Sequence, residues 1–179
     1  MSSILKVNNI QNSGGTAAMA IDGSGRMTQP ANPAFIVMAN DTGAGGWVNL
    51  TTGQNYEVTF NTERVDRGNN FNTSTYRWTA PIDCIMMLGV QMYMDGASAA
   101  YTRLRLYENN TTMIHEHITS APESDVPEGA SQSSVLLDVT AGRTYQWKLY
   151  KDASSPQVYY PVSTNTLLRF CYCWGYMVA

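Results

Sequence analysis

Charge is what this chain has least of. Asp, Glu, Lys and Arg together make up 14% of its 179 residues, against the usual quarter, and they sum to only −3. No lysine–arginine cluster occurs, so the basic stripe that a phosphate backbone requires is missing and nucleic acid is excluded as a partner. No apolar run reaches the roughly 20 residues of a spanning helix, and no membrane partner is expected. The opening Met1-Ser-Ser-Ile-Leu-Lys6 lacks the basic-then-apolar layout of a signal peptide, and the expectation is synthesis in a reducing cytoplasm. Cysteine is scarce as well. Cys84, Cys171 and Cys173 cannot all pair, and the last two, on one face of a strand, are badly placed to bridge each other. They read as reduced thiols packed like small hydrophobes.

Catalytic motifs are missing too. There is no Gly-x-Ser-x-Gly elbow, and the only histidines, His115 and His117, sit in one hairpin, so a Ser/His/Asp arrangement cannot be assembled. No glycine loop leads into a helix to cradle phosphate. The expectation is a non-enzyme without cofactor. His115-Glu116-His117 still needs weighing, because alternate strand residues share a face and two imidazoles there can chelate a metal. The further ligands would have to come from elsewhere, so a pair of exposed strand histidines is the preferred reading. Glu123, Asp125 and Glu128 fit no calcium-loop spacing, and they read as a solvated acidic loop stiffened by Pro127.

What fills the gap is Ser, Thr, Asn, Gln and Tyr, beside an ordinary 44% of apolar residues. That mixture suits strands with uncharged polar outer positions, or a large protein–protein interface, where charge is depleted and Tyr, Trp and Met are enriched. Apolar residues recur at a spacing of two and turn residues interrupt them about every ten positions, the all-β pattern. In Tyr101-Thr-Arg103-Leu104-Arg105-Leu106-Tyr107 the leucines point inward and the arginines outward. Asn109-Asn110 turns that strand into Thr112-Met-Ile-His115. Residues 56–60 read as one strand, 123–129 as a polar loop and 133–138 and 144–150 as strands joined at Ala141-Gly142. Residues 151–156 read as a turn and 167–178 as a closing strand. Two short runs, 4–10 and 16–21, precede Pro30 and cannot bury a core alone. They divide the chain into an attachment segment, 1–30, and a main domain, 31–179.

Five landmarks in order carry a resemblance. They are Pro33-Ala-Phe35, then Val58-Thr-Phe60-Asn61, then Phe71 through Trp78-Thr-Ala-Pro81-Ile-Asp83. Leu136-Leu-Asp-Val139 with Gly142-Arg-Thr-Tyr-Gln-Trp147, and Trp174-Gly175-Tyr176-Met-Val178, complete the set. The order resembles the complement-head (C-one-q type) and tumour-necrosis-factor jelly rolls, with Cys84, Met86 and Arg143 where Gly, Tyr and Asp are common. The resemblance implies an all-β, ten-stranded antiparallel jelly-roll β-sandwich, here with a short N-terminal β extension, assembled as a homotrimer. Phe60, Phe71, Trp78, Pro81, Leu104, Leu106, Trp147, Gly175 and Tyr176 are its expected core and fold signature. Surplus aromatics, from Tyr56 and Tyr76 to Tyr145 and Trp174, would pave the threefold contact or a recognition patch. Tyr159-Tyr160-Pro161 is a candidate sugar-binding loop.

The leader, residues 3–10 followed by Ala20-Ile-Asp-Gly-Ser-Gly25, is similar to that of many tailed-bacteriophage virion proteins. Together these readings point to a virion surface protein whose residues Ile4, Leu5, Val7 and Ile10 attach it to its partner. The specific expectation is capsid decoration, a cement protein bound to the major capsid protein or another virion protein. The alternative is a short tail fibre or fibre tip that binds a host-surface glycan.

Overall fold

The computed structural model describes residues 7–29, 31–39, 46–95, 101–120, 128–151, 157–160 and 171–179. Among them every regular element is a strand and every pairing is antiparallel. β1 (Asn9–Gln11), β2 (Ala17–Ile21) and β3 (Met27–Thr28) form a small meander of their own. β4 (Ala34–Ala39), β5 (Gly46–Asn49), β6 (Asn55–Glu57) and β7 (Phe60–Arg67) open the main domain. β8 (Phe71–Asn72), β9 (Arg77–Thr79) and β10 (Cys84–Asp95) lead to the hairpin of β11 (Tyr101–Glu108) and β12 (Thr112–Ser120). β13 (Glu128–Val139), β14 (Thr144–Lys151), β15 (Gln157–Tyr160) and β16 (Tyr172–Met177) complete it.

These strands make two sheets packed face to face. One runs β13-β10-β16-β4-β7, with β15 joining β10 at Met94–Asp95 and carrying β5. The other runs β12-β11-β14-β9-β8, with β6 also on β14. Alternation decides which side chains lie between them. β10 turns Met86, Leu88, Val90 and Met92 inward, β14 turns Tyr145, Trp147 and Leu149, and all are buried. Phe35 and Trp78 stack at 5.5 Å and 24°, Phe35 meets Phe71 at 5.5 Å, and Tyr145 closes on Trp78 at 5.9 Å. Each such ring contributes about 1.5–3 kcal/mol by leaving water, and the ring pairs add up to about 1 kcal/mol.

The β11–β12 turn follows its sequence signal. Asn109 and Asn110 both sit in the left-handed region, at φ 48° and 65°, within the three residues that join the paired Glu108 and Thr112. Other expectations need correcting. Residues 56–60 are two strands: Tyr56 pairs with Leu149 in one sheet, Phe60 with Ala39 in the other, and the chain crosses at Val58-Thr59. Tyr56, Val58 and Phe60 keep one inward periodicity through the crossing, so alternation does not register it. Pro81 is exposed, because the strand end is closed by Ala80 and its partners Arg143 and Gly142 while Pro81, without an N–H, caps it from outside. Tyr176 is 48% exposed, since Cys173 and Gly175 take the inward positions of β16. β13 begins at Glu128, inside the expected loop. Lys151 ends β14 buried, its Nζ donating to the Leu50 carbonyl at 3.0 Å. Ile4, Leu5, Pro30, Glu123, Asp125, Pro127, Pro161, residues 152–156 and residues 167–170 lie outside the described residues.

Candidate assembly face

On the outer surface of the larger sheet, pairing registers set alternate residues in rows. One row runs Val65, Ile36, Trp174, Gly89, Ser134 across β7, β4, β16, β10 and β13. Beside it runs Arg67, Ala34, Tyr176, Met87, Leu136, and on the other side Thr62, Met38, Tyr172, Gln91, Gln132. The three middle strands contribute no charged side chain to these rows. Charge comes from the flanking strands, from Arg67 and Arg64 of β7, the latter reaching Met38 Sδ of β4 at 3.1 Å, and from Asp138 of β13.

Two glycines shape this surface. A Cβ on Gly89 would come within 2.3 Å of the Trp174 ring, so only glycine lets the indole lie flat on β10. A Cβ on Gly175 would meet Phe35 at 2.5 Å and Leu88 at 2.6 Å on the core side. Trp174 therefore rests on a bare patch of backbone and stacks on Tyr176, at 5.8 Å and 11°. Rings held this way lose little freedom on binding, as aromatic anchors of interfaces do. Leu136, 53% exposed, and Val65 flank them.

The outer surface of the smaller sheet is built in the opposite way. Glu116 accepts from Arg105 Nε at 2.6 Å and from Arg103 at 3.0 Å, and the Arg105 guanidinium lies 3.7 Å over the Tyr150 ring. Lys148, 8% exposed, reaches Glu57 at 3.2 Å, bonds Asn110 and sits over Tyr107. Burial pulls the Glu116 carboxyl up, but the two arginines outweigh it and hold the group below the usual carboxylate range. This surface already satisfies itself.

No protein-family model and no curated protein sequence matches the chain. Solved structures do. The globular domain of zebrafish complement 1qA protein superposes with a TM-score of 0.57 at 16% identity, covering 82% of this chain and 98% of that one. The Eiger TNF of S. frugiperda gives 0.56 at 11%, covering 83% and 94%. Murine APRIL gives 0.55 at 11%, covering 82% and 99%. The fold is a complement-head/tumour-necrosis-factor jelly roll.

Within this jelly roll the expected signature residues Phe60, Phe71, Trp78, Trp147 and Gly175 are buried, whereas Pro81 and Tyr176 are surface residues. Tyr76 is a turn residue at φ 58°. Of the two histidines, His117 is exposed as expected and His115 is half-buried. His115 and His117 pair with Leu106 and Leu104, on the inward side of β12. His115 bonds Ser133 Oγ across the sandwich at 3.0 Å and meets the Trp147 ring edge-on, and burial, with His117 second, pushes its pKa down. Among the described residues no group of three metal-ligating side chains gathers around them. Burial pushes the Cys171 thiol up to about 12 and holds the Cys173 thiol well above its ordinary value, so both are inert packing groups.

The leader contributes little core. Val7 is half-buried and Ile10 is 50% exposed, as is much of the meander, including Met27 and Ile21. Sequence reasoning missed Gly89, Gln91 and Gln132, and took Leu136 only as a landmark of the fold. Their signal is the cross-strand register, which a linear reading does not contain.

Proposed function

We propose that this chain is a non-enzymatic structural protein of a bacteriophage virion surface, a homotrimer that decorates and stabilises the capsid. The observation that carries the reading is the outer face of the larger sheet, uncharged on its middle strands, with half-buried Trp174 stacked on exposed Tyr176. A face of this chemistry fits a second copy of itself, because aromatic, Met and Leu side chains with charge only at the rim are the composition of a subunit contact. The structural likeness to complement-head and tumour-necrosis-factor domains favours three copies. The meander of β1 to β3, with Ile10, Ile21 and Met27 exposed, supports the leader as the arm that grips a capsomer. Three weak arms on one trimer engage far more tightly than one.

The test is to add purified protein to undecorated capsids and, in parallel, to host cells, with its mass determined by light scattering. A trimer that saturates capsids and leaves cells bare is the expected result. A trimer that coats cells instead moves the role to host adsorption as a tail-fibre tip, and a monomer removes both. Replacing Ile4, Leu5, Val7 and Ile10 by serine should abolish attachment with the trimer intact.

A further inference from the structure

One group on the uncharged face is polar. Gln91 Oε1 accepts a hydrogen bond from Gln132 Nε2 and another from the Tyr172 hydroxyl at 3.2 Å, which uses both of its lone pairs. The Gln91 amide N–H groups and Gln132 Oε1 take part in no hydrogen bond among the described residues. The three side chains form a single row on neighbouring strands β16, β10 and β13. They border a depression of about 120 Å³ walled on its apolar side by Trp174 and floored by Ser134. Donors are left over on one residue and an acceptor on the other.

We propose that this node fixes the register in which copies of the chain meet, the Gln91 amide of one copy donating to Gln132 Oε1 of the next. The inference rests on the self-assembly reading above and names what makes that assembly unique. Apolar contacts alone tolerate sliding, because successive rows of the face lie about 6.8 Å apart along the strands and present similar greasy side chains. A slip by one row would set the amides of one copy against Trp174 and Gly89 of the other. Their unmatched groups would then leave water without a partner, a penalty that exceeds what a shifted apolar contact returns. In the matched register each copy of a closed ring donates to one neighbour through Gln91 and accepts from the other through Gln132. A buried polar group in an apolar contact selects one arrangement at some cost in stability, as a single buried amide does in coiled coils.

The experiment compares the full chain with Gln91→Leu and with the double variant Gln91→Leu/Gln132→Leu. Light scattering and native mass across a dilution series are read beside circular dichroism for the fold. The expected result is one trimeric mass for the natural sequence. The double variant should still associate, with no lower unfolding midpoint, but as a mixture of masses. Gln91→Leu alone strands Gln132 and should weaken association tenfold or more. A double variant that keeps a single trimeric mass, or that falls to monomer, overturns the proposal. Should leucine disturb the strand, Gln91→Met/Gln132→Met repeats the comparison with side chains nearer in length. A natural sequence that is itself monomeric would remove the assembly reading first and this inference with it.

Discussion

The two outer faces of this sandwich solve the same problem differently. Both cover sheets of similar size, yet one is tied together by its own charges and the other carries almost none. On the smaller sheet Arg103, Arg105 and Glu116 are paired within the subunit, Tyr150 and Tyr107 are capped by cations, and little valence is left for a partner. On the larger sheet the aromatics stack only on each other and on glycine, and two glutamines keep unused donors and acceptors. A scarcity of charge across the whole chain thus becomes an absence on one face. What looks like a compositional bias is a spatial partition.

The largest effect should come from charging the bare face. For the self-assembly proposed above, Trp174→Arg is expected to leave monomers in light scattering, a loss of about 2–4 kcal/mol typical of an aromatic anchor, with the strand signal unchanged. Arg103→Ala on the opposite face should leave the mass where it was. Equal losses of mass from both would abolish the distinction between the faces. Next comes Gly175→Ala, on the core side of the same strand as Trp174. Its methyl would press on Phe35 and Leu88, and overpacking should cost about 2 kcal/mol, read as a melting point lower by roughly 5 °C.

Smaller still is Glu116→Gln, which leaves two arginines facing a neutral amide on a partly exposed surface. About 1 kcal/mol of unfolding free energy should go, with no change in mass. The same pair sets an acid response. Because the Glu116 carboxyl is held down when folded, its contribution is present above about pH 4.5 and is lost as pH falls through the folded value. His115 acts earlier. Its folded pKa is also lowered, so stability is full above pH 6.5 and declines as pH falls below it, by at most about 1.4 kcal/mol per pH unit. Denaturation from pH 8 to pH 5 should show that slope, and His115→Gln should flatten it. A slope that persists in the variant would assign it to another group.

Much of the fold was legible. Leu104 and Leu106 alternate with arginines, Asn109-Asn110 names its own turn, and Trp78-Thr-Ala-Pro81 marks a strand and its end. These are local signals, each carried by neighbours in the chain. The failures share a cause. Tyr176 and Pro81 were assigned to the core because their motif resembles a buried one, but which side a strand residue faces depends on the phase of its alternation against the opposite sheet. The crossing at Val58-Thr59 escaped for the same reason, since inward residues of either sheet look alike. His117 is exposed, as the sequence suggests, whereas His115 on the same strand is half-buried. Their strand sits at a sheet edge, where an inward position still reaches solvent and Ser133 supplies a partner.

The sequence alone determined that this is an all-β protein with little charge to spare. Period, turn chemistry and composition act over a few residues and need no partner strand. Only the tertiary structure decided that Trp174, Gly89 and Leu136 belong to one surface, that Gln91 meets Gln132 and Tyr172, and that the charges collect on the other side. Gln91 is 41 positions from Gln132 and 81 from Tyr172 in the chain, and it is hydrogen-bond register between strands, a cooperative property of the whole sheet, that brings them together.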